Sequence, residues 1–135
     1  QLAECHLGRL RLLEAITVEQ YEAGVSFRRT VGRMRWALNC PPATPAALSM
    51  GGGQRPDISQ EESDQYRADY NNMFHAVMGA FSSQEAPRIM RELRNVIVSD
   101  DPVSNLLTLS RGLNILVRHY QLTSRNKSSH FRNAS

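Results

Sequence analysis

The sequence predicts an all-α protein, a single irregular orthogonal bundle of about five helices with a loop rich in proline and glycine after the second helix. The chain of 135 residues has the length of one domain with a sizeable core. Its apolar residues recur three and four positions apart, which is the spacing of a helix with one buried face. Residues that favour helix caps precede several of these patterns and mark where helices begin.

The first helix is predicted over residues 2–15. The residues that share its apolar face are Ala3, Leu7, Leu10 and Leu13. Ile16 and Thr17 form a short break before the next helix. A helix, a tight break and a second helix have the outline of a helix-turn-helix motif, although the usual small residue is missing from the turn. Every antiparallel helix pair shares this outline, so it does not by itself identify a DNA-binding motif.

The second helix is predicted over residues 17–39 and is the element around which we expect the bundle to form. Thr17 and Gln20 have the spacing of a capping box, in which each side chain accepts a hydrogen bond from the backbone of the other. Pro41 and Pro42 end the helix. The apolar stripe that we expect to face the core consists of Phe27, Val31, Met34 and Leu38.

The opposite side of this helix is basic. It carries Arg28, Arg29, Arg33, Arg35 and Trp36, and no acidic residue occurs between positions 23 and 39. Such a face can follow the phosphates of a nucleic acid, and the indole can stack on a base or fill a pocket in a partner. Alternatively, the face is only solvated, its arginines pair with acids such as Asp64 and Asp69 of the third helix, and the tryptophan lies at the margin of the core.

The third and fourth helices follow a loop predicted at residues 40–58, which holds most of the prolines and three consecutive glycines. Ser59 and Glu62 form a second capping box. The third helix should bury the face that carries Tyr66, Tyr70, Met73, Phe74, Val77 and Phe81. Ser82 or Ser83 caps the fourth helix. Its buried stripe is Ile89, Leu93, Val96 and Ile97.

The fifth helix is predicted to begin with Asp101 as the cap and Pro102 as the first helical residue. It should end at Gln121 and Leu122, which makes residues 1–122 the helical domain. Its wide apolar face consists of Val103, Leu106, Leu109, Leu113, Leu116, Val117 and Tyr120. We expect His119 to lie in the last turn, where a positive charge is favourable.

Residues 123–135 are predicted to form a basic, disordered tail, because they contain three basic residues and no acidic one. The basic residues are Arg125, Lys127 and Arg132. They are candidate contacts to nucleic acid or to a partner, and a terminus that only keeps the protein solvated is an equal alternative.

The sequence contains no candidate catalytic residues, no motif for a cofactor and no metal-ligand spacing, so we expect a protein that is not an enzyme and has no small-molecule substrate. No apolar run is long enough to cross a membrane, and no signal peptide is visible. We therefore expect a cytoplasmic protein that does not contact a membrane. The net charge is only +3, so the basic excess is local, and the oligomeric state is left open.

Two segments resemble a known family: LGRLRLLEAITVEQYEAGVSFRR at 7–29 and LSRGLNILVRHYQL at 109–122. The combination resembles an uncharacterised helical domain of alphaproteobacteria, their phages and their gene transfer agents. Some members of that family resemble the part that follows the helix-turn-helix in regulators. The resemblance covers nearly the whole chain and implies a role linked to phages, to DNA or to transcription, but it brings no catalytic residues.

The leading functional hypothesis is a regulatory or adaptor module that acts at DNA or at the transcription machinery through the basic face of the second helix. One alternative is a small DNA-packaging protein, similar to a terminase small subunit, which requires assembly into a ring. Another is a protein–protein scaffold that uses the same face to bind an acidic partner. Steep salt dependence of DNA binding separates the first two from the third.

Overall fold

The computed structural model of the protein describes residues 5–39 and 59–134, with side chains described as far as 38 before the gap and 121 at the end. The loop predicted at 40–58 and the side chains of Arg125, Lys127 and Arg132 lie outside this part. The described residues form five α-helices and no strand, which confirms the all-α bundle. The helices are α1 (His6–Leu12), α2 (Val18–Asn39), α3 (Gln60–Ala80), α4 (Glu85–Leu93) with a π-helical continuation (Arg94–Val98), and α5 (Leu106–Ala134).

Helix α2 is the centre of the bundle, since it contacts α1, α3, α5 and the π-helical segment. Its predicted capping box is present. Gln20 Oε1 accepts from the Thr17 backbone N–H at 2.8 Å, and Thr17 Oγ1 accepts from the Gln20 N–H at 3.1 Å. The predicted apolar stripe is buried at Phe27 and Val31. It is wrong at Leu38, which is 59% exposed near the end of the helix, whereas the neighbouring Ala37 is buried.

Helix α1 ends earlier than its apolar pattern suggests. Leu13 closes the helix and is 78% exposed, so its predicted place on the buried face is wrong. The chain reverses at Glu14, whose φ of 57° lies in the left-handed region that normally favours glycine. At its other end, α1 is held by a distant residue, because Asp100 Oδ1 accepts from the His6 backbone N–H at 2.8 Å.

Helices α3 and α4 follow the predicted patterns closely. Ser59 and Ser82 accept hydrogen bonds from the backbone N–H groups of Glu62 and Glu85 at 3.1 Å, as cap residues do. All four residues predicted for the stripe of the fourth helix are buried, and Met73 and Val77 are the fully buried residues of α3. Beyond Leu93 the helix widens into the π-helical segment, where the Ser99 N–H bonds to the Arg94 carbonyl at 3.0 Å.

Helix α5 begins four residues later than predicted from its Asp-Pro sequence. Asn105 is the cap, since its Oδ1 accepts from the Thr108 N–H at 3.1 Å. Asp101 is not the cap, because its own N–H bonds back to the Asn95 carbonyl at 2.7 Å. The buried carboxylate of Glu92 also holds this connection by accepting from the N–H of Ser104 at 2.9 Å. These contacts keep residues 99–104 wrapped against α4 before the helix can start.

The other end of α5 also differs from the sequence prediction. The helix does not stop at Gln121 and Leu122 but continues to Ala134, through the segment predicted to be a disordered tail. Once a helix is nucleated by packing, each further residue adds one hydrogen bond at little cost. The division into a domain at 1–122 and a separate tail stays a prediction.

The core lies where α2, α3, α4 and α5 meet, and α1 covers one side of it. Three leucines of α5, Leu109, Leu113 and Leu116, are fully buried as predicted, whereas Leu106 is 41% exposed. The buried apolar cluster consists of Leu7, Ile16, Ala23, Phe27, Val31, Met73, Val77, Ile89, Met90, Leu93, Val96, Ile97, Leu109, Leu113 and Leu116. None of the helices in the described ranges is long and apolar enough to cross a membrane.

Candidate nucleic-acid interface

The predicted basic face lies on the outer arc of α2. A helix advances by about 100° per residue, so Arg28 and Arg35 share one side while Arg29, Arg33 and Trp36 lie close together on the other. All five residues are exposed, and Trp36 exposes 42% of its surface. The five residues are therefore exposed on two adjacent sides of the helix, and their role in binding stays a prediction. We refer to these five residues as the α2 face.

Two arginines of the α2 face are oriented by neighbouring elements. Arg28 Nε donates to the carbonyl oxygen of Ile97 at 2.9 Å, which satisfies a backbone group at the end of the π-helical segment. The guanidinium carbon of Arg33 lies 5.4 Å from the ring centroid of Tyr66, a distance typical of a cation–π contact. An arginine has five N–H donors, so each of these contacts leaves donors that can reach an external phosphate.

The arginines of the α2 face form no ion pair with a carboxylate in the described ranges. Asp64 and Asp69, the expected partners, instead accept hydrogen bonds from Gln60 Nε2 at 2.9 Å and Gln65 Nε2 at 2.8 Å on their own helix. The ion pairs that the alternative interpretation requires are therefore absent from the described ranges, although Asp69 lines one cleft with Arg29 and Arg33.

A polar cleft of about 190 Å³ opens beside the α2 face, between α2, α3 and α5. Two residues of the face, Arg29 and Arg33, line it, and the other lining residues were not predicted to belong to a site. The latter are Ser26, Thr30, Asp69, Asn72, His119 and Tyr120. A sequence signal for the cleft exists in α2, because positions 26, 29, 30 and 33 form a polar stripe with the same spacing as the apolar one.

Hydrogen bonds order the floor of this cleft. Thr30 Oγ1 lies 2.9 Å from the carbonyl oxygen of Ser26 and 2.7 Å from the hydroxyl of Tyr120. The threonine hydroxyl has one hydrogen and donates it to the carbonyl, so the tyrosine hydroxyl donates to Thr30. Burial raises the pKa of Tyr120, and its hydrogen bond to Thr30 opposes that shift. The tyrosine is therefore a neutral donor that ties α5 to α2.

His119 also lines the cleft, and its predicted place in the last turn of the helix is wrong. It lies within α5, far from the last turn, and its ring makes an edge contact with Tyr120 at 5.0 Å between centroids. Burial lowers the pKa of His119, and the nearby Asp69 carboxylate opposes this shift. At neutral pH the imidazole is uncharged, so the cleft carries two arginine charges and one carboxylate charge, a net positive potential at the edge of the α2 face.

The remaining predicted contact residues belong to the extension of α5. Arg125, Lys127 and Arg132 occur where the backbone is helical, but their side chains lie outside the described part, so their role stays a prediction. Within the described ranges, no cluster of three histidine, cysteine or acidic side chains has the geometry to hold a metal ion.

No protein-family model, curated protein or solved structure matches this chain. The resemblance of residues 7–29 and 109–122 to a phage-linked family therefore stays a prediction.

Proposed function

We propose that this protein is a non-enzymatic regulatory or adaptor module, related to phages or gene transfer agents, that acts at DNA by docking the α2 face on backbone phosphates. One observation carries the proposal: four exposed arginines surround an exposed tryptophan on one helix, and no carboxylate in the described ranges pairs with them. An arginine without an acidic partner can neutralise a DNA phosphate. This releases the cations condensed on the DNA, and that release drives association.

The arrangement of the α2 face suits recognition of the DNA backbone rather than of base sequence. Arg28 and Arg35 are seven residues apart, so they are separated along the helix axis by about 10 Å. An α-helix also fits the width of the major groove of DNA. The contacts of Arg28 with Ile97 and of Arg33 with Tyr66 hold these side chains in place before binding. Trp36 supplies an apolar anchor that adds affinity without adding charge.

The test is a salt titration of DNA affinity. Arg29→Ala with Arg33→Ala should weaken binding to unrelated DNA sequences about equally and reduce the salt slope by roughly two units, because two phosphate contacts are lost. Trp36→Ala should weaken binding and leave the slope unchanged. A variant with lysine at both arginine positions should keep the slope, which separates loss of charge from loss of the Arg33–Tyr66 contact.

The matched control removes the same charge elsewhere. Arg88 and Arg91 are exposed on α4, which does not contact α2, so Arg88→Ala with Arg91→Ala should leave DNA affinity and slope unchanged. Equal affinity of the α2 double variant and the wild type would reject the nucleic-acid function and favour an acidic protein partner. Light scattering on the same samples distinguishes an adaptor from a ring-forming DNA-packaging protein.

A further inference from the structure

A second surface feature lies away from the α2 face, in an open groove of about 390 Å³ between α3 and α4. Its apolar lining comes from Phe74 and Met78 of α3 and from Pro87 and Met90 of α4. Methionine side chains adapt to different apolar partners, and grooves of this size fall within the range of binding sites. The groove shares no lining residue with the α2 face, although its Arg94 and Asn95 belong to the π-helical segment, which contacts α2.

The polar part of the groove is positively charged. Arg91 and Arg94 line it, and its lining contains no carboxylate. The guanidinium carbon of Arg94 lies 5.6 Å from the ring centroid of Tyr70, so this side chain is held in place. Its Nε is buried and has no acceptor among the described residues. A guanidinium carries four further N–H donors besides Nε, so the side chain keeps donors for an acceptor in the groove.

The two acidic residues of α4 are engaged away from the groove. Glu92 is buried and accepts hydrogen bonds from the backbone and the hydroxyl of Ser104. Glu85 lies 2.7 Å from Arg111 of α5, and the hydrogen bond and charge of that arginine lower the pKa of the carboxyl. Neither carboxylate lines the groove or forms an ion pair with Arg91 or Arg94.

We propose that this groove is a docking site for an acidic amphipathic helix of a partner protein. Apolar side chains of that helix would fill the space above Phe74, Met78 and Met90, and carboxylates beside them would bind Arg91 and Arg94. A helix that lays one apolar face into a groove is a common mode of peptide recognition, and charged residues beside the apolar contacts decide which helix binds. The inference does not rest on DNA binding by the α2 face.

The experiment uses three fluorescent peptides of about 15 residues, the length at which an isolated helix begins to be stable. The first peptide carries leucine at i, i+4 and i+7 with glutamate on the flanking positions. The second replaces every glutamate with lysine, and the third keeps the glutamates and replaces every leucine with serine. Fluorescence anisotropy with the full chain should show binding of the first peptide, and at least about tenfold weaker binding of the other two.

Charge reversal on the protein sharpens this test. Arg91→Glu should weaken binding of the acidic peptide by about tenfold or more and improve binding of the lysine peptide. Arg88→Glu is the matched control, because Arg88 is exposed on the same helix but does not line the groove, and it should change neither affinity. Met78→Ser should weaken the acidic peptide without favouring the lysine peptide, and thermal melts verify that each variant is folded.

Three results would overturn the proposal. The first is the absence of binding by the acidic peptide, or equal binding of the acidic and lysine peptides. The second is an equal effect of Arg91→Glu and Arg88→Glu. The third is self-association of the wild type that Arg91→Glu abolishes, because the occupant would then be a second copy of this chain. Variants of the α2 face that lose DNA binding but keep peptide binding would show that the two surfaces act independently, and the docking proposal would stand.

Discussion

Gly112 of α5 packs against Ile89 and Leu93 of α4, and replacing it with alanine tests the packing of the bundle. A Cβ at this position would lie 2.9 Å from Ile89 Cγ2 and 3.0 Å from both terminal methyl carbons of Leu93. Both neighbours are buried, with exposures of 2% and 0%. The Cγ2 of isoleucine is attached directly to its Cβ, and a β-branched side chain in a helix has one preferred rotamer. The methyl group cannot move aside, so the two helices must separate.

The expected magnitude follows from two opposing terms. Alanine is favoured over glycine in a helix interior by about 1 kcal/mol. Overpacking of a well-packed core costs about 1–3 kcal/mol. Gly112→Ala should therefore lower the free energy of unfolding by about 0–2 kcal/mol.

Gly32 provides the matched control, since it lies within α2, is exposed, and has nothing within 4 Å of an added Cβ. Gly32→Ala should raise the free energy of unfolding by about 1 kcal/mol, so the two variants should differ by about 1–3 kcal/mol. Urea denaturation followed by circular dichroism measures both values at a common m-value. Equal stabilisation by the two substitutions would mean that α4 and α5 do not touch at Gly112, and the helix arrangement would be wrong.

Two further predictions concern the core and the cleft. Leu113→Ala should lower the free energy of unfolding by about 2–5 kcal/mol in the same urea assay, since this side chain is fully buried. A loss under about 0.5 kcal/mol would contradict its burial. Burial lowers the pKa of His119 in the folded protein. As the pH falls below 6.5, the unfolded chain therefore takes up this proton before the folded protein does. The free energy of unfolding then falls with decreasing pH until the folded state is protonated as well. His119→Gln should remove this part of the pH dependence, which sets in as the pH falls below 6.5, and an unchanged profile would show that other groups cause it.

The elements that the sequence predicts well depend on residues one or two helical turns apart. The capping box of Thr17 and Gln20 forms within a single turn, so its spacing is sufficient to place the start of α2. The stripe of α4 is buried as expected, because apolar residues that recur with the helical period share one face of the helix. Such a strongly apolar face is stable only when another element covers it. The exposure of the α2 face follows from the same periodicity, since charged residues opposite a buried stripe face solvent.

Periodicity shows which face of a helix is buried but not what covers it, and the remaining features depend on partners distant in the sequence. Arg28 donates to a carbonyl 69 residues away, and Thr30 and Tyr120, which order the cleft, are 90 residues apart. The start of α5 also depends on contacts outside the helix. Asp101 and Asn105 are both good caps, and hydrogen bonds to Glu92 and Asn95 hold the residues that precede Asn105 outside the helix. The sequence alone therefore determined that helices form and which residues make up most of their buried faces. The ends of α1 and α5, the polar cleft and the groove between α3 and α4 depend on how the fold brings separate helices together.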